Sequence, residues 1–207
     1  MAHVTEGRNI FVCGRTGSGK SYLVKRAIRD AGRLLVYLPK REDADYPGVY
    51  FDVRSGEAVD FWNTWMEVNR QGRSYRLVYR PADPFEAIAF DRLCMGVYYA
   101  GDLTFVAEDL AGYVNERANL GAGFKTLLTA GRTRNVTCWL LTQRPYRIPR
   151  EVTSQAREAF LFAAHEPNDV AYLKEAFGVE AAERLAGLGQ YEYVHWTEDG
   201  KVEVGKA

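Results

Sequence analysis

Short apolar runs alternate with helical segments along most of this 207-residue chain, and the alternation restricts the possible folds more than any other feature. Runs of strand length occupy residues 9–13, 33–38, 48–53, 75–80, 102–107, 136–141 and 159–164. Several are apolar on both faces, as buried parallel strands are. Helical patterns lie between them at 19–31, 56–70, 84–99, 121–133 and 168–177. The alternation predicts an α/β fold with a mostly parallel central sheet covered by helices on both sides.

The end of the chain has a different pattern. Two runs of strand composition, YEYVHW and KVEV, flank the sequence TEDG, in which Asp199-Gly200 suits a tight turn. We therefore expect a C-terminal β-hairpin. With 47% hydrophobic residues the chain can bury one substantial core, whereas two domains would each be undersized, so we expect a single domain over residues 1–207.

Charge and cysteine usage argue against a strongly basic protein, a disulfide-stabilised fold and a zinc site. The formal net charge is zero and the pI is about 6.8, so any contact with a polyanion must be local. Cys13, Cys94 and Cys138 are odd in number and far apart, which fits neither a disulfide framework nor a zinc site and indicates a reducing compartment.

Histidine spacing and hydropathy argue against a histidine metal site, a secretory signal and a transmembrane segment. His3, His165 and His195 lack the spacing of metal ligands, and we interpret all three as structural. No uninterrupted apolar run approaches about 18 residues, and the N-terminal segment reaches a polar glycine loop too early for a secretory signal. We therefore expect a soluble, unsecreted protein without a transmembrane segment.

The sequence GRTGSGKS, residues 14–21, lies directly after the first predicted strand and before the first predicted helix. Its spacing is that of a phosphate loop, in which glycines let successive backbone N–H groups point at the β-phosphate of a nucleotide. Lys20 would reach the β- and γ-oxygens, Ser21 would bind Mg²⁺, and the following helix adds the positive end of its dipole. The predicted residues for binding ATP are Gly14, Arg15, Thr16, Gly17, Ser18, Gly19, Lys20, Ser21 and Tyr22.

An acidic pair, Glu108-Asp109, follows the apolar run at 102–107. A phosphate-loop enzyme needs one carboxylate at the tip of a neighbouring strand to hold the water shell of Mg²⁺ and a second to activate the attacking water. Adjacent acids are also common at solvated strand ends, but beside a phosphate loop they favour catalysis. We assign Glu108 to the metal and Asp109 to the water. Because side chains alternate along a strand, one of the two points away from the site.

A later segment, AGRTRNVTCWLLTQRP, spans residues 130–145. It closes a helix with Arg132 and Arg134, continues as a buried strand and ends in Thr-Gln-Arg-Pro. Gln143, at the carboxyl end of a strand beside the phosphate loop, is suited to hydrogen-bond the γ-phosphate or the attacking water. We interpret it as a sensor of the nucleotide state.

Together these motifs resemble the HerA/FtsK superfamily of DNA-pumping ATPases. GxTGSGKS, the acidic pair, GRTRNV and LLTQRP occur in the family's order, and IPREVTSQAREAFLFAAHEPND is similar to its Ser-Gln segment followed by a strand and a helix begun by Asn-Asp. The family writes its acidic pair as Asp-Glu, whereas this chain has Glu108-Asp109, which leaves the identity of the base open. Without room for extra domains, the chain is most similar to the genome-packaging ATPases of membrane-containing icosahedral viruses.

The resemblance implies a RecA-like P-loop NTPase fold and hydrolysis of ATP with Mg²⁺, coupled to moving double-stranded DNA into a preformed capsid. It implies a homo-oligomer, a ring of six copies, with proteins of the capsid vertex or portal as partners, in the host cytoplasm or at the virion vertex. It makes Arg132, with Arg134 as the alternate, the candidate to reach a neighbouring subunit's nucleotide. The residues with implied catalytic roles are Lys20, Glu108, Asp109, Gln143, Arg132 and Arg134.

A local excess of arginine indicates where DNA would bind. Six arginines and one acid lie between residues 132 and 157. Arg144, Arg147 and Arg150 alternate with aromatic and proline residues directly after the sensor strand, and such groups would contact the DNA backbone without reading sequence. The alternative, that these arginines pair with acids of a neighbouring subunit, stays open.

Two other functional classes also fit the sequence. A small phosphotransferase has this length, but it would need an arginine-rich lid over the γ-phosphate, and the acidic pair with Gln143 favours water as the acceptor. A nucleotide-dependent assembly protein that moves nothing is the other class.

Overall fold

The computed structural model describes residues 7–40, 45–114 and 120–207, so that His3 lies outside the described residues. The described strands are β1 (Asn9–Cys13), β2 (Arg33–Tyr37), β3 (Val49–Asp52), β4 (Tyr75–Arg80), β5 (Leu103–Ala107), β6 (Val136–Thr142), β7 (Glu158–Phe162), β8 (Glu192–Thr197) and β9 (Val202–Lys206). The described helices are α1 (Lys20–Ala27), α2 (Ala58–Arg70), α3 (Ala87–Ala100), α4 (Ala122–Ala130), α5 (Arg150–Ser154), α6 (Pro167–Phe177) and α7 (Val179–Leu185).

The strands form one sheet in the order β3-β4-β2-β5-β6-β1-β7-β8-β9. Strands β1 to β7 are parallel, and β8 and β9 continue the sheet as an antiparallel hairpin. The mostly parallel α/β fold and the C-terminal hairpin predicted from the sequence are confirmed. Parallel strands all end at the same edge of a sheet, so the segments that follow β1, β5 and β6 lie side by side at its carboxyl edge.

Helices cover the two faces of this sheet unequally. Among the described residues, α2 to α7 contribute buried side chains to one apolar cluster, which includes Phe61, Leu93 and Leu173. The opposite cluster receives Leu23 and Val24 from α1, together with side chains of the segment 45–50. The phosphate loop precedes α1, and its residues Arg15, Thr16 and Gly17 are exposed.

The predicted strand bounds agree with the structure to within two residues. The predicted helix 19–31 ends earlier, at Ala27, and the predicted helix 121–133 ends at Ala130, where a tight 3-10 turn, Gly131–Arg134, follows. Helices α5 and α7 are absent from the sequence prediction because, at 5 and 7 residues, each is too short to show a helical period. None of the described helices combines the length and the apolarity that crossing a membrane requires.

All three cysteines are buried and unpaired. Burial raises the pKa of Cys138 to about 12, and it raises the pKa of Cys13 and of Cys94 above the ordinary value as well. The thiols therefore pack as small apolar groups within the core.

Helices α3 and α4 pack closely against each other, with the backbone of α4 near that of α3. Helix α4 leads through the 3-10 turn into β6. The carboxylate of Asp91 accepts a hydrogen bond of 2.8 Å from Phe124 N in the first turn of α4. A methyl group on Gly123 would lie 2.1 Å from the carbonyl oxygen of Asp91. Only glycine permits this contact, since a backbone carbonyl cannot turn aside as a flexible side chain does.

We expect Gly123→Ala to lower the free energy of unfolding by about 1–3 kcal/mol, because the added methyl forces α3 and α4 apart. Urea unfolding followed by far-UV circular dichroism measures the change. The matched control is Gly187→Ala, whose methyl would meet Arg184 O at 3.9 Å and should change stability by less than about 0.5 kcal/mol. Equal stability of the two variants would contradict the close packing of α3 on α4.

Candidate active site

The phosphate loop, residues 14–21, leaves β1 at the carboxyl edge of the sheet and runs into α1. Gly14, Gly17 and Gly19 all have positive φ angles of 155°, 76° and 104°. A methyl on Gly14 would lie 2.5 Å from Cβ of Phe162, so this position also requires glycine for space. Gly14 N donates a hydrogen bond of 3.3 Å to Thr142 O, which joins the loop to the end of β6.

Lys20 opens α1 and is buried, with 7% of its surface exposed. Its Nζ donates hydrogen bonds of 2.7 Å to Gly14 O and 2.9 Å to Arg15 O. A buried ammonium needs such partners, because its desolvation otherwise disfavours the charged form. The positive charge is therefore held against the loop that the sequence predicts to bind phosphates.

Glu108 lies beside the first turn of α1. Its Oε1 accepts a hydrogen bond of 3.0 Å from Ser21 Oγ and another from Tyr46 Oη. Its backbone carbonyl accepts a further bond of 2.7 Å from Tyr113 Oη. The structure thus brings together the two predicted magnesium ligands, Ser21 and Glu108. It adds the buried Tyr46, which the sequence analysis missed because this residue belongs to an irregular segment.

Glu108 reaches the phosphate loop although its strand, β5, is not adjacent to β1. Strand β6 lies between β1 and β5 in the sheet. The side chain of Glu108 nevertheless reaches Ser21, in the first turn of α1. The same helix shares an apolar cluster with Val106 of β5 through Leu23 and Val24. A carboxylate and a hydroxyl are hard oxygen donors of the kind Mg²⁺ prefers, so this pair suits a magnesium ion held with water and phosphate.

The side chain of Asp109 has a different partner from that of Glu108. Its backbone is left-handed, with φ 54°, and its Oδ2 lies 2.7 Å from Nζ of Lys40. Lys40 follows β2, the neighbour of β5 in the sheet. The left-handed turn therefore directs the two acids to different partners, Glu108 to Ser21 and Asp109 to Lys40.

Gln143 follows β6 directly and meets the phosphate loop. Its Oε1 accepts a hydrogen bond of 2.9 Å from Thr16 Oγ1. Beside this contact lies a cavity of about 340 Å³ between the phosphate loop and the segments that follow β6 and β7, lined among others by Thr16, Gln143 and Asp169. The predicted sensor and the loop are therefore in contact through their side chains.

Arg132 and Arg134 lie at the other end of β6. They precede the strand, whose seven residues span roughly 20 Å, so both are at the amino edge of the sheet, far from the phosphate loop. The guanidinium of Arg134 donates to the carbonyls of Tyr98, at 3.3 Å, and Tyr99, at 3.0 Å, at the end of α3. Arg132 is exposed and lines a second cavity with Arg8 and other residues.

The arginines after the sensor strand make contacts within the same chain. Arg144 lies 3.8 Å from Asp169, and Arg150 pairs with Glu175 and donates to Tyr172 O at 3.0 Å, so both contact α6. Arg147 is exposed, and its Nε lies 3.2 Å from Tyr146 Oη.

Asp169 forms the buried end of this contact between the arginine segment and α6. It accepts a bond of 3.3 Å from Tyr146 N, and burial raises its pKa above the ordinary value while Arg144 opposes the shift. The side chains of α6 thus fix the direction of the segment that follows Gln143.

Comparison with solved structures identifies the fold. The genome packaging NTPase B204 of Sulfolobus turreted icosahedral virus 2, in complex with AMPPCP, matches with a TM-score of 0.77 at 19% identity, covering 98% of both chains. B204 of Sulfolobus turreted icosahedral virus, described as a DNA-packaging ATPase, gives 0.76 at 20% identity and the same coverage. VirB4 of Thermoanaerobacter pseudethanolicus gives 0.68 at 10% identity, over 96% of this chain and 88% of that chain. No protein-family model and no curated protein matches the sequence. The chain therefore has the P-loop NTPase fold of these structural neighbours.

We expect Tyr46→Phe to lower the free energy of unfolding by about 1.5–3 kcal/mol, since it removes a buried hydrogen bond to the Glu108 carboxylate. Urea unfolding measures the change. The matched control is Tyr50→Phe, which removes a neutral bond of 2.9 Å to Tyr46 O and should cost about 0.5–1.5 kcal/mol. A Tyr46 variant no less stable than the Tyr50 variant would contradict the stronger contact at Glu108.

Proposed function

We propose that this chain, as one domain, is an ATPase that moves double-stranded DNA and packages a viral genome into a preformed capsid. The observation that carries the proposal is that five side chains lie together at the carboxyl edge of the sheet. Lys20 is held against the phosphate loop, Ser21 contacts Glu108, and Gln143 contacts Thr16. The fold shared with NTPases described as genome-packaging enzymes supports the same proposal.

In this proposal each residue has a chemical task. The N–H groups of residues 14–19 and the Lys20 ammonium bind the β- and γ-phosphates of ATP. Ser21 and Glu108 would hold Mg²⁺, partly through water, and a bound ion would supply positive charge against the phosphate oxygens. Asp109 is the candidate base for the attacking water, and its contact with Lys40 must then loosen before it can accept the proton. Gln143 exchanges its bond from Thr16 for one with the γ-phosphate or the water.

Arg132 is the proposed catalytic group supplied by a neighbouring copy. It lies at the amino edge of its own sheet, whereas the phosphate loop lies at the carboxyl edge, so it cannot reach its own nucleotide. A ring of copies, for which we propose six members, would place the amino edge of one beside the carboxyl edge of the next. Arg134, whose guanidinium donates to two carbonyls of α3, is the alternate candidate.

The segment after Gln143 is the proposed contact with DNA. Arg147 is exposed and is the leading candidate within it, whereas Arg144 and Arg150 would first have to exchange their contacts on α6 for phosphate. Because the segment follows Gln143 directly, a change at the γ-phosphate moves the chain that contacts DNA. Nucleotide hydrolysis is thereby coupled to displacement of the duplex.

Phosphate release from MgATP, measured with and without duplex DNA, tests the activity. We expect hydrolysis that DNA stimulates, and a loss of about 100-fold or more in Lys20→Ala, since that ammonium stabilises the developing phosphate charge. Lys174→Ala, an exposed lysine of α6, is the matched control and should retain full activity. Transfer of phosphate to a small acceptor with DNA inert would favour a kinase, and binding without turnover would favour an assembly protein.

Mixing inactive variants tests catalysis across a subunit junction. We expect Lys20→Ala and Arg132→Ala to be inactive alone, and their mixture to recover activity at those junctions that combine an intact Lys20 with an intact Arg132. Stopped assays of phosphate release before and after mixing measure the recovery. Mixing Lys20→Ala with Arg134→Ala is the control, and recovery only in that pair would assign the role to Arg134. No recovery in either mixture would contradict catalysis by a neighbouring copy.

A further inference from the structure

Tyr191, in the turn before β8, has an uncommon backbone. Its φ angle is 66°, in the left-handed region that a bulky side chain rarely adopts, and 44% of its surface is exposed. The turn is held in place, because Ala207 N donates to Tyr191 O at 2.9 Å and Gly189 N donates to the Glu192 carboxylate at 2.8 Å. The surrounding bonds thus impose a strained conformation that directs an aromatic ring to the surface.

The ring of Tyr191 lies against the phosphate loop. A methyl group built on Gly19, the last loop residue before α1, would lie 3.3 Å from Cδ1 of Tyr191. The same methyl would lie 3.3 Å from Cβ of Ala207 and 3.4 Å from the ring of Phe162. An exposed aromatic side chain therefore flanks the end of the phosphate loop at which the chain enters α1.

The position of the other site residues sets the direction of a bound nucleotide. Glu108 and Gln143, which face the metal and the γ-phosphate in the proposed function, follow β5 and β6. Tyr191 precedes β8, which lies on the opposite side of β1, beyond β7. A triphosphate whose γ-end lies toward β5 and β6 has its nucleoside end toward β7 and β8, where the tyrosine ring is exposed.

We propose that Tyr191 is the stacking platform for the base of a nucleoside triphosphate bound in the phosphate loop. The inference rests on the proposed function, since it requires the loop to bind the phosphates. A tyrosine ring offers a large, rigid apolar face to a planar base, and stacking engages the face of the base and not its polar edge. The base subsite therefore accepts both purines. Stacking on Tyr191 increases the affinity for ATP and for GTP by similar factors.

Isothermal titration with MgATP, MgGTP and magnesium tripolyphosphate tests the inference, because tripolyphosphate carries the phosphates without a base. We expect Tyr191→Ala to lower the affinity for ATP and for GTP by about tenfold each. Its affinity for tripolyphosphate should stay within about twofold of that of the wild type. Tyr191→Phe should bind all three as the wild type does. Tyr99→Ala, an exposed tyrosine of α3, is the matched control and should change none of the affinities.

A glycine variant separates stacking from the strain of the turn. Tyr191→Gly relieves the left-handed backbone, so we expect its melting temperature to equal or exceed that of the wild type while its ATP affinity falls as in Tyr191→Ala. Unchanged ATP affinity in both variants would overturn the base subsite, and so would an equal loss for ATP and tripolyphosphate. Wild-type protein that binds neither ligand would instead overturn the proposed function.

Discussion

The parallel pairing of β1 with β6 is the constraint on which the rest of the site depends. Its register sets Cys13 opposite Thr142, so that the phosphate loop and Gln143 leave the sheet at the same level. The bond from Gly14 N to Thr142 O and the contact between Thr16 and Gln143 follow from this alignment. A slip of one residue would turn every side chain of β6 to the other face and remove Gln143 from the loop.

Opposite edges of the sheet carry different parts of the proposed machinery. The carboxyl edge holds the buried ammonium of Lys20, the contact between Ser21 and Glu108, and the pair formed by Asp109 and Lys40. The amino edge exposes Arg132. Within one chain, the arginine and the phosphate loop therefore lie at opposite edges of the sheet. Helix α6 contacts the segment after Gln143 through Asp169, which accepts a bond from Tyr146 N and lies near Arg144.

Much of the fold could be predicted because its signals are local. Buried parallel strands appear as apolar runs, and the spacing of residues 14–21 locates the turn between β1 and α1. The strand order, with β6 between β1 and β5, could not be predicted because it has no local signal. Tyr46, Lys40 and Tyr191 were missed because each belongs to an irregular segment whose partner is distant in sequence.

The sequence by itself determined the kind of secondary structure, the phosphate loop, the acidic pair and the polar end of β6, because each depends on residue types at short, fixed spacings. Only the tertiary structure decided which groups meet. It paired Glu108 with Ser21 and Asp109 with Lys40, turned Arg144 and Arg150 onto α6, and set the ring of Tyr191 against Gly19. The physical reason is that such contacts follow from strand order and from the path of irregular segments, which the packing of the whole chain sets and no short stretch of sequence encodes.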